Sequence, residues 1–209
     1  LSEIGFRVHI IEGGYKAYRR HVIAEIEHLP AQLHFRVLCG PTGSGKSRLL
    51  QLIAQRGGQV LDLEDLAVHR GSVLGNLPDR AQPSQKHFES RIWDSLRRFS
   101  SSKPIFVEAE SLKIGRLRVP ETLIARMWQS ECLRVSIPLA GRVSFLTNEY
   151  VHYLHNVPDL EVKLMCLIPL HGHQKIANWI NLASTQRWQD LVEQLLTDHY
   201  DPAYRRSTL

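Results

Sequence analysis

One stretch of eight residues constrains the fold of this chain more than any other. Residues 40–47 read GPTGSGKS and match the phosphate-loop pattern G-x-x-x-x-G-K-[ST] at every fixed position. Glycines let successive backbone N–H groups turn toward an anion, and the helix that follows offers its positive end to the same anion. Ser47 also supplies a hydroxyl suited to Mg²⁺ if the ligand is a nucleotide. The expected phosphate-binding residues are Gly40, Gly43, Ser44, Gly45, Lys46, Ser47 and Arg48.

The residues on both sides of the loop follow the strand, loop and helix order that such a site requires. Phe35 to Cys39 is typical of a short strand, and Lys46 to Gln55 places apolar side chains at helical spacing before Gly57. Further strands are predicted at residues 59–63, 104–108 and 133–137, and further helices after Ser84, from Arg142 to Leu154 and from Trp179 to Leu196. The sequence therefore predicts an α/β fold, a three-layer domain of the P-loop NTPase type with a mainly parallel sheet and additional C-terminal helices.

The region before the phosphate loop is too short to form a domain of its own. It contains an apolar stretch from Gly5 to Ile11, which predicts a strand, and then helical spacing that ends at Pro30. This region is either an extension that packs on the phosphate-loop domain or the tail of a preceding domain. The expected division is a tail at residues 1–20, a linker helix at 21–34 and the phosphate-loop domain at 35–209.

Net charge and hydropathy limit the function classes without choosing among them. Lys and Arg total 26 against 21 for Asp and Glu, and this formal charge of +5 permits a polyanionic partner such as RNA without requiring one. No apolar run approaches the roughly 20 residues of a membrane span, and no signal peptide is recognisable. A cytoplasmic protein without membrane contact is therefore expected.

The cysteines and histidines do not form a pattern typical of a metal site. The three cysteines, Cys39, Cys132 and Cys166, are widely spaced among apolar neighbours, so buried free thiols are expected. The histidines lack Cys or acidic partners at ligand spacing, so no metal site is predicted. They are His152, His155, His171 and His173.

Charged residues that follow the predicted strands form the candidate site. Ligands of open α/β sheets bind beyond the carboxyl ends of the strands, so residues just after the second strand should lie beside the phosphate loop. Glu108 ends the third strand, where phosphate-loop enzymes commonly place a carboxylate near the metal or water, although Asp is usual there. Two alternatives remain open: a solvated surface loop after the second strand, and a Glu108 that only orients neighbouring cations. The residues after the second strand are Asp62, Glu64, Asp65, His69 and Arg70.

Six stretches taken together resemble the tRNA 2-selenouridine synthases, a family in which a rhodanese-like domain precedes a phosphate-loop domain. The resemblance runs through nearly the whole chain, although residues 1–20 resemble only the end of the rhodanese-like domain and its active-site Cys is absent. The stretches are GGYKAYRR at 13–20, GPTGSGKSRLL at 40–50, LDLEDLAVHRGS at 61–72, QPSQKHFE at 82–89, VEAESLKIG at 107–115 and HYDPAYRRS at 199–207.

The resemblance implies an enzyme that replaces sulfur by selenium in a 2-thiouridine at the tRNA wobble position. It implies geranyl diphosphate and selenophosphate as co-substrates and a tRNA carrying wobble 2-thiouridine as partner. S-alkylation converts a poor leaving group into one that departs as a thiol, and the leaving diphosphate could be stabilised by the phosphate loop. Because the rhodanese-like Cys is absent, geranylation is the step expected of this chain.

The resemblance also assigns expected roles to individual residues. Lys46, Glu108 and Arg70 are expected to act in catalysis. The expected substrate-binding residues are His69, Arg70, Ser72, Gln82, Ser84, Gln85, Lys86, Glu110 and Arg142, and the expected RNA-binding residues are Lys16, Arg19, Arg20, Arg205 and Arg206.

Two other functions fit the same residues. A kinase or other phosphotransferase that uses ATP or GTP on a small molecule would need the same phosphate loop, with Mg²⁺ on its serine hydroxyl. A non-catalytic RNA-binding module would use only the basic residues. For the transferase, ATP and GTP are the less favoured ligands of the loop.

Overall fold

A four-stranded parallel sheet supports the phosphate loop in the computed structural model, which describes residues 5, 7, 9–72, 75, 80–154 and 156–207, without the side chains of residues 152, 154 and 207. The strands are β1 (Phe35–Cys39), β2 (Gln59–Leu61), β3 (Ile105–Glu108), β4 (Lys113–Ile114), β5 (Leu117–Arg118) and β6 (Glu131–Arg134). The helices are α1 (Gly14–His28), α2 (Lys46–Gln55), α3 (Leu63–Ala67), α4 (Gln85–Leu96), α5 (Glu121–Trp128), α6 (Leu139–Glu149), α7 (Val151–Leu154), α8 (Val157–Met165), α9 (Ile168–Ser184), α10 (Trp188–Leu195) and α11 (Asp201–Ser207). A 3₁₀ turn covers Leu29–Gln32, and a π-helical turn covers Leu196–Tyr200.

The strand that precedes the phosphate loop lies inside the sheet. The strand order is β2-β3-β1-β6 and all three pairings are parallel, so Val37 of β1 lies opposite both Val107 and Cys132. Val37 belongs to a core shared with α4 and α5, whereas Leu38 faces the other side of the sheet because side chains alternate along a strand. The carboxyl ends of parallel strands meet at one edge, and this edge brings the loop after β1 beside the segments after β2 and β3.

The C-terminal helices build a second hydrophobic core. Trp179 of α9 is fully buried among side chains of α8 and α10, and Leu196 is fully buried against α6. Among the helices of the described residues, none is both long and apolar enough to cross a membrane. The additional helices confirm the predicted fold class, an α/β domain with a parallel sheet and an added C-terminal helical part.

Helix α1 runs without a break across the expected division between residues 20 and 21. Val22 is fully buried, and Arg19 donates to the backbone oxygen of Lys86 and to Oγ of Ser90, each at 3.0 Å. Thr122 of α5 donates to the backbone oxygen of Ile26 at 3.0 Å. These contacts pack residues 14–28 against α4 and α5, as an extension of the phosphate-loop domain.

The predicted bounds of β1 and α2 are confirmed, whereas those of two other strands are wrong. β2 ends at Leu61, because the carboxylate of Asp62 accepts a hydrogen bond from the backbone N–H of Asp65 at 2.9 Å and caps α3. β6 lies at Glu131–Arg134 and not at residues 133–137. Its pairing with β1 runs to the last residue of β1, Cys39, whose backbone oxygen accepts the final hydrogen bond from Val135 N at 2.7 Å.

Three local predictions need correction. Residues 9–11 of the predicted N-terminal strand are not in a strand, and Phe6 and Val8 lie outside the described residues. The helix predicted from Arg142 to Leu154 begins at Leu139 and is divided into α6 and α7 at Tyr150. The helix predicted from Trp179 to Leu196 is divided at residues 185–187, between α9 and α10.

The expectation of three buried free thiols is wrong. Cys39 and Cys132 form a disulfide between the neighbouring strands β1 and β6. Cys132 and Cys166 are both exposed, and Cys166 alone is a free thiol. Apolar neighbours in the sequence suggested burial, but β6 is an edge strand and α8 turns Cys166 toward solvent.

Candidate functional site

The phosphate loop has the compact backbone that its glycines predict. Gly43 and Gly45 have φ of 79° and 84°, values that side chains rarely allow, and a Cβ on Gly40 would lie 2.2 Å from the backbone oxygen of Val135. Lys46 Nζ donates to the backbone oxygen of Gly40 at 2.9 Å and so closes the loop. Ser44 is buried, and its hydroxyl has no hydrogen-bond partner within the described part of the chain.

Glu108 lies at the end of β3 directly beside the loop. Its side chain is buried, and the Ser47 hydroxyl and the Lys46 ammonium lie near its carboxyl group. Burial raises the pKa of Glu108, while Lys46 and Ser47 oppose that rise by stabilising the carboxylate. A carboxylate, a hydroxyl and an ammonium therefore meet at the start of α2.

Two further carboxyl groups, of Glu64 and Glu110, approach each other at Gly71. A Cβ on Gly71 would lie 2.8 Å from Glu64 Oε1 and 3.5 Å from Glu110 Oε2, so a side chain there would disturb both groups. Burial, and then repulsion from neighbouring carboxylates, raises the pKa of Glu64 to about 9 and that of Glu110 to about 8. Both carboxyl groups are therefore mostly protonated at neutral pH and can donate a proton to a ligand.

These groups line a cleft of about 630 Å³ beyond the carboxyl ends of the strands. The volume lies within the roughly 300–1,000 Å³ that small-molecule sites occupy. The predicted residues that line it are Gly40, Gly43, Gly45, Lys46, Ser47, Arg48, His69, Arg70, Ser72, Glu108 and Glu110. The predicted residues outside its lining are Ser44, Gln82, Ser84, Gln85, Lys86 and Arg142.

The loop after β2 supplies the far wall of the cleft. Arg70 pairs with Glu149 at 3.1 Å, and its guanidinium carbon lies 5.0 Å from the centre of the Tyr150 ring. His69 is buried, and its Nδ1 accepts a hydrogen bond from the backbone N–H of Gly71 at 3.0 Å. His69 is therefore held as part of the turn, whereas the Arg70 head group is partly exposed toward the cleft.

Two glutamines predicted to bind substrate instead hold the β4–β5 hairpin. Gln82 Nε2 donates to the backbone oxygen of Ile114, and its Oε1 accepts from the backbone N–H of Arg116, both at 3.0 Å. Gln85 makes a similar pair of bonds with the backbone of Arg118, at 2.8 and 2.9 Å. The structure therefore gives the QPSQ stretch a positioning role, and Ser84 caps α4 by accepting from His87 N. Lys86 is exposed on α4, outside the lining of the cleft.

Arg142 lies behind the phosphate loop. Its Nε donates to the backbone oxygen of Thr42 at 2.8 Å, and Nη1 donates to Asp201 at 3.0 Å in a two-bond ion pair. The Arg142 side chain is only 7% exposed. This arrangement connects the HYDP stretch at residues 199–202 to the phosphate loop.

The predicted RNA-binding residues occupy two separate elements. Lys16 and Arg20 are exposed on α1, and Arg205 and Arg206 are exposed on α11. Arg19 is buried and forms an ion pair with Glu89 of α4, so its charge already has a partner inside the domain. Four exposed cations therefore remain for a polyanion.

The histidines are distributed among helices. His171 Nε2 and His199 Nδ1 lie 3.0 Å apart, and burial lowers the pKa of both rings. The side chains of His152 and His155 lie outside the description, and His173 is exposed. Within the ranges that the structure describes, no group of three or more His, Cys, Asp or Glu residues could hold a metal ion.

Sequence reasoning missed the contribution of the C-terminal helices to the cleft. Glu149, Tyr150 and Tyr200 line it, although they belong to the C-terminal helices and not to any strand end. Glu64 was noticed only by its position after β2, with no signal that it would pair with Glu110. The cleft as a whole can hold a di- or triphosphate on its cationic side and move a proton on its carboxylic side.

The comparisons with known proteins point to one family. The family model described as the tRNA 2-selenouridine synthase AAA domain matches residues 33–161. Relatives named tRNA 2-selenouridine synthase occur in Shewanella sediminis, Shewanella woodyi and Alcanivorax borkumensis, at 32%, 37% and 34% identity over 98% of this chain. The chain spans 62% of the length of the two Shewanella relatives and 63% of the third. No solved structure matches the chain.

Proposed function

Because this chain belongs to the tRNA 2-selenouridine synthase family, we propose that it carries the geranyl-transfer step of a tRNA-modifying enzyme. In this step geranyl diphosphate alkylates the sulfur of a wobble 2-thiouridine. The S-geranyl product is then converted to 2-selenouridine with selenophosphate as the selenium donor. The cleft described above is the proposed site of the alkylation.

The observation that carries the proposal is the meeting of phosphate-binding and proton-holding groups in one cleft. Lys46 and Arg48 supply cations on the side of the phosphate loop, and Glu64 and Glu110 face the same space. A diphosphate that leaves with developing negative charge is stabilised by inward N–H groups and a nearby ammonium. The acceptor nucleoside, in turn, must lose a proton, which requires a base in the same cleft.

The atoms of the proposed step balance without a further reagent. The bond between the allylic carbon and the diphosphate oxygen breaks, and a bond forms between that carbon and the sulfur at position 2 of the base. The ring N3 loses its proton, because the alkylated product has a C2=N3 double bond. The Glu64–Glu110 pair can take this proton only once one of its carboxyl groups has ionised, which their raised pKa values place above neutral pH, and the diphosphate remains on the loop.

The kinase alternative is favoured by one specific contact. A serine hydroxyl at the start of α2 beside a buried carboxylate is also the arrangement in which Mg²⁺ binds a nucleotide, and Ser47 and Glu108 have it. These two residues would hold Mg²⁺, which would neutralise part of the phosphate charge of ATP or GTP. Ser47 and Glu108 fit Mg²⁺ with a nucleotide as well as the loop fits a diphosphate, so the affinities of the two ligands must be compared directly.

Calorimetric titration distinguishes the two functions. Geranyl diphosphate should bind more tightly than ATP with Mg²⁺, and the reverse ranking would favour the kinase. Lys46→Ala removes charge-assisted hydrogen bonds worth about 1.5–3 kcal/mol, so it should weaken geranyl diphosphate binding by about tenfold or more. Arg116→Ala, a cation outside the lining of the cleft, is the control and should leave the affinity unchanged. An unchanged affinity in Lys46→Ala would place the diphosphate elsewhere.

A further inference from the structure

An apolar pocket lies directly beside the phosphate-loop cleft. Four residues line both spaces: Thr42 of the loop, Leu146 of α6, Tyr150 and Tyr200. On the cleft side of this boundary stand the charged groups of Lys46 and Arg70. Beyond it, the pocket is lined almost wholly by hydrocarbon side chains. The two spaces together therefore suit a ligand with a phosphate at one end and an apolar chain at the other.

The pocket follows one face of α10. Its lining includes Trp188, Leu191, Val192 and Leu195, which recur at the i, i+3, i+4, i+7 spacing of a helix face. At a rise of 1.5 Å per residue, Trp188 and Leu195 are separated by roughly 10 Å along the helix. Leu195 is next to the π-helical turn that carries Tyr200, so the pocket extends from the phosphate-loop cleft toward Trp188. A chain that enters beside the loop would run along α10.

We propose that this pocket binds the hydrocarbon chain of the allylic diphosphate and selects for its length. The inference rests on the proposed function, because it takes the diphosphate end to be held by the phosphate loop. The pocket encloses about 60 Å³, less than half of the roughly 150 Å³ of a cavity that holds benzene, so it takes only the end of a branched chain and leaves no room for further carbons. A dry, apolar cavity of this kind binds hydrocarbons and not water.

The position of the pocket also places the reacting carbon. The carbon that bears the diphosphate must lie at the boundary between the two spaces, where the rings of Tyr150 and Tyr200 stand. Arg70 lies over the Tyr150 ring at this boundary, and its guanidinium attracts the diphosphate as it leaves the allylic carbon. The boundary residues therefore join chain selection to the chemistry of the loop.

A pair of tryptophan substitutions on adjacent positions of α10 tests the inference in the complete 209-residue chain. Val192 lines the pocket and Glu193 is exposed, so Val192→Trp fills the pocket whereas Glu193→Trp adds the same side chain outside it. Val192→Trp should lower the affinity for geranyl diphosphate by about tenfold or more, because the buried chain loses its contacts. The affinity for inorganic diphosphate should change by no more than about twofold. Glu193→Trp should change neither affinity.

The results of calorimetry separate the possible failures. Equal losses for geranyl and inorganic diphosphate in Val192→Trp, or no loss of geranyl diphosphate affinity, would overturn the pocket assignment. The pocket assignment would also be overturned if the parent chain bound inorganic diphosphate as tightly as geranyl diphosphate. That result would leave the role of the phosphate loop unaffected. By contrast, inorganic diphosphate binding that does not respond to Lys46→Ala would contradict the proposed function itself.

A milder variant covers the case in which Val192→Trp fails to fold. Val192→Ala enlarges the pocket and should raise the affinity of farnesyl diphosphate, which has one isoprene unit more, relative to geranyl diphosphate. In the parent chain, geranyl diphosphate should bind more tightly than farnesyl diphosphate. An equal or reversed preference in the parent, or a preference that Val192→Ala leaves unchanged, would show that this pocket does not measure chain length.

Discussion

Removing Asp201 should weaken both the fold and the phosphate loop, because its partner Arg142 is buried and holds the loop from behind. The side chains of Arg142 and Asp201 are 7% and 20% exposed, so solvent screens their ion pair only weakly. Breaking a buried pair by removing one partner typically costs 3–5 kcal/mol, since the remaining charge is left without compensation. We take the lower end, about 3 kcal/mol, because Asp201 keeps some contact with solvent.

The expected change is large enough for a thermal melt to measure. For a chain of this length, 1 kcal/mol shifts the melting temperature by roughly 2–4 °C, so Asp201→Ala should lower it by about 6–12 °C. Asp198→Ala is a matched control three residues earlier. Asp198 pairs with Lys175 at 2.9 Å, but these side chains are 34% and 42% exposed, and such pairs contribute about 0–1 kcal/mol.

The same variant separates a positioning role for Arg142 from a ligand-binding role. If Arg142 positions the loop through the Thr42 carbonyl, Asp201→Ala should also weaken inorganic diphosphate binding. A melting temperature equal to that of Asp198→Ala would refute the magnitude argued from burial. An increased diphosphate affinity would refute the positioning role, because it would mean that the released guanidinium binds the ligand.

Three further predictions concern pH, the hairpin and RNA. The unfolded chain releases the proton of Glu64 near its ordinary pKa of 4.5, whereas the folded chain keeps it up to a pKa of about 9, so the stability of the fold falls as pH rises between these values. Melting temperatures measured from about pH 6 to about pH 9 should therefore fall less for Glu64→Gln than for the parent chain. An identical fall would contradict the raised pKa. Gln82→Ala removes the partners of the Ile114 carbonyl and of the exposed Arg116 N–H and should cost about 1 kcal/mol in urea unfolding, while an unchanged midpoint would contradict its positioning role. The affinity of the parent chain for tRNA should fall steeply with added salt, and the fall should be less steep in the double variant Lys16→Ala and Arg20→Ala. A salt-insensitive titration of the parent chain would argue against phosphate contacts.

The elements around the phosphate loop were predictable because their signals are local. β1 and α2 have the predicted bounds, since the GPTGSGKS motif fixes where the strand must end and the helix must begin. The helix after Ser84 was predictable because a hydroxyl before an amphipathic run is a short-range signal of a helix start. Such features depend on a few neighbouring residues, so a single sequence is sufficient to identify them.

The errors arise where distant segments decide the outcome. The end of β2 depends on whether Asp62 caps a helix or continues a strand, and the ends of β6 depend on its register with β1. Gln82 and Arg142 carry polar groups near the phosphate loop in the expected topology, yet their partners are Ile114, Arg116 and Asp201, which sequence separation conceals. The resemblance implied ligand contact for both residues, whereas the structure shows that their polar groups have partners inside the protein.

The pairing of Glu64 with Glu110 lay beyond sequence reasoning for the same reason. Each follows a different strand, and the parallel pairing of β2 with β3 brings the two carboxyl groups together beside Gly71. Tyr150 and Tyr200 enter the cleft because the C-terminal helices fold back over the loop. The side of the sheet that carries the site was therefore predictable, but the composition of its far wall was not.

Transfer of the geranyl group to tRNA tests the central claim most directly. The complete chain is incubated with geranyl diphosphate and tRNA carrying wobble 2-thiouridine, and the nucleosides are analysed by chromatography with mass spectrometry. We expect S-geranyl-2-thiouridine from the thiolated tRNA only, and a rate lower by roughly a hundredfold or more in Lys46→Ala, because the leaving diphosphate loses electrostatic stabilisation. Equal transfer by Lys46→Ala, or no S-geranyl product from a folded parent chain that binds the tRNA, would contradict the claim.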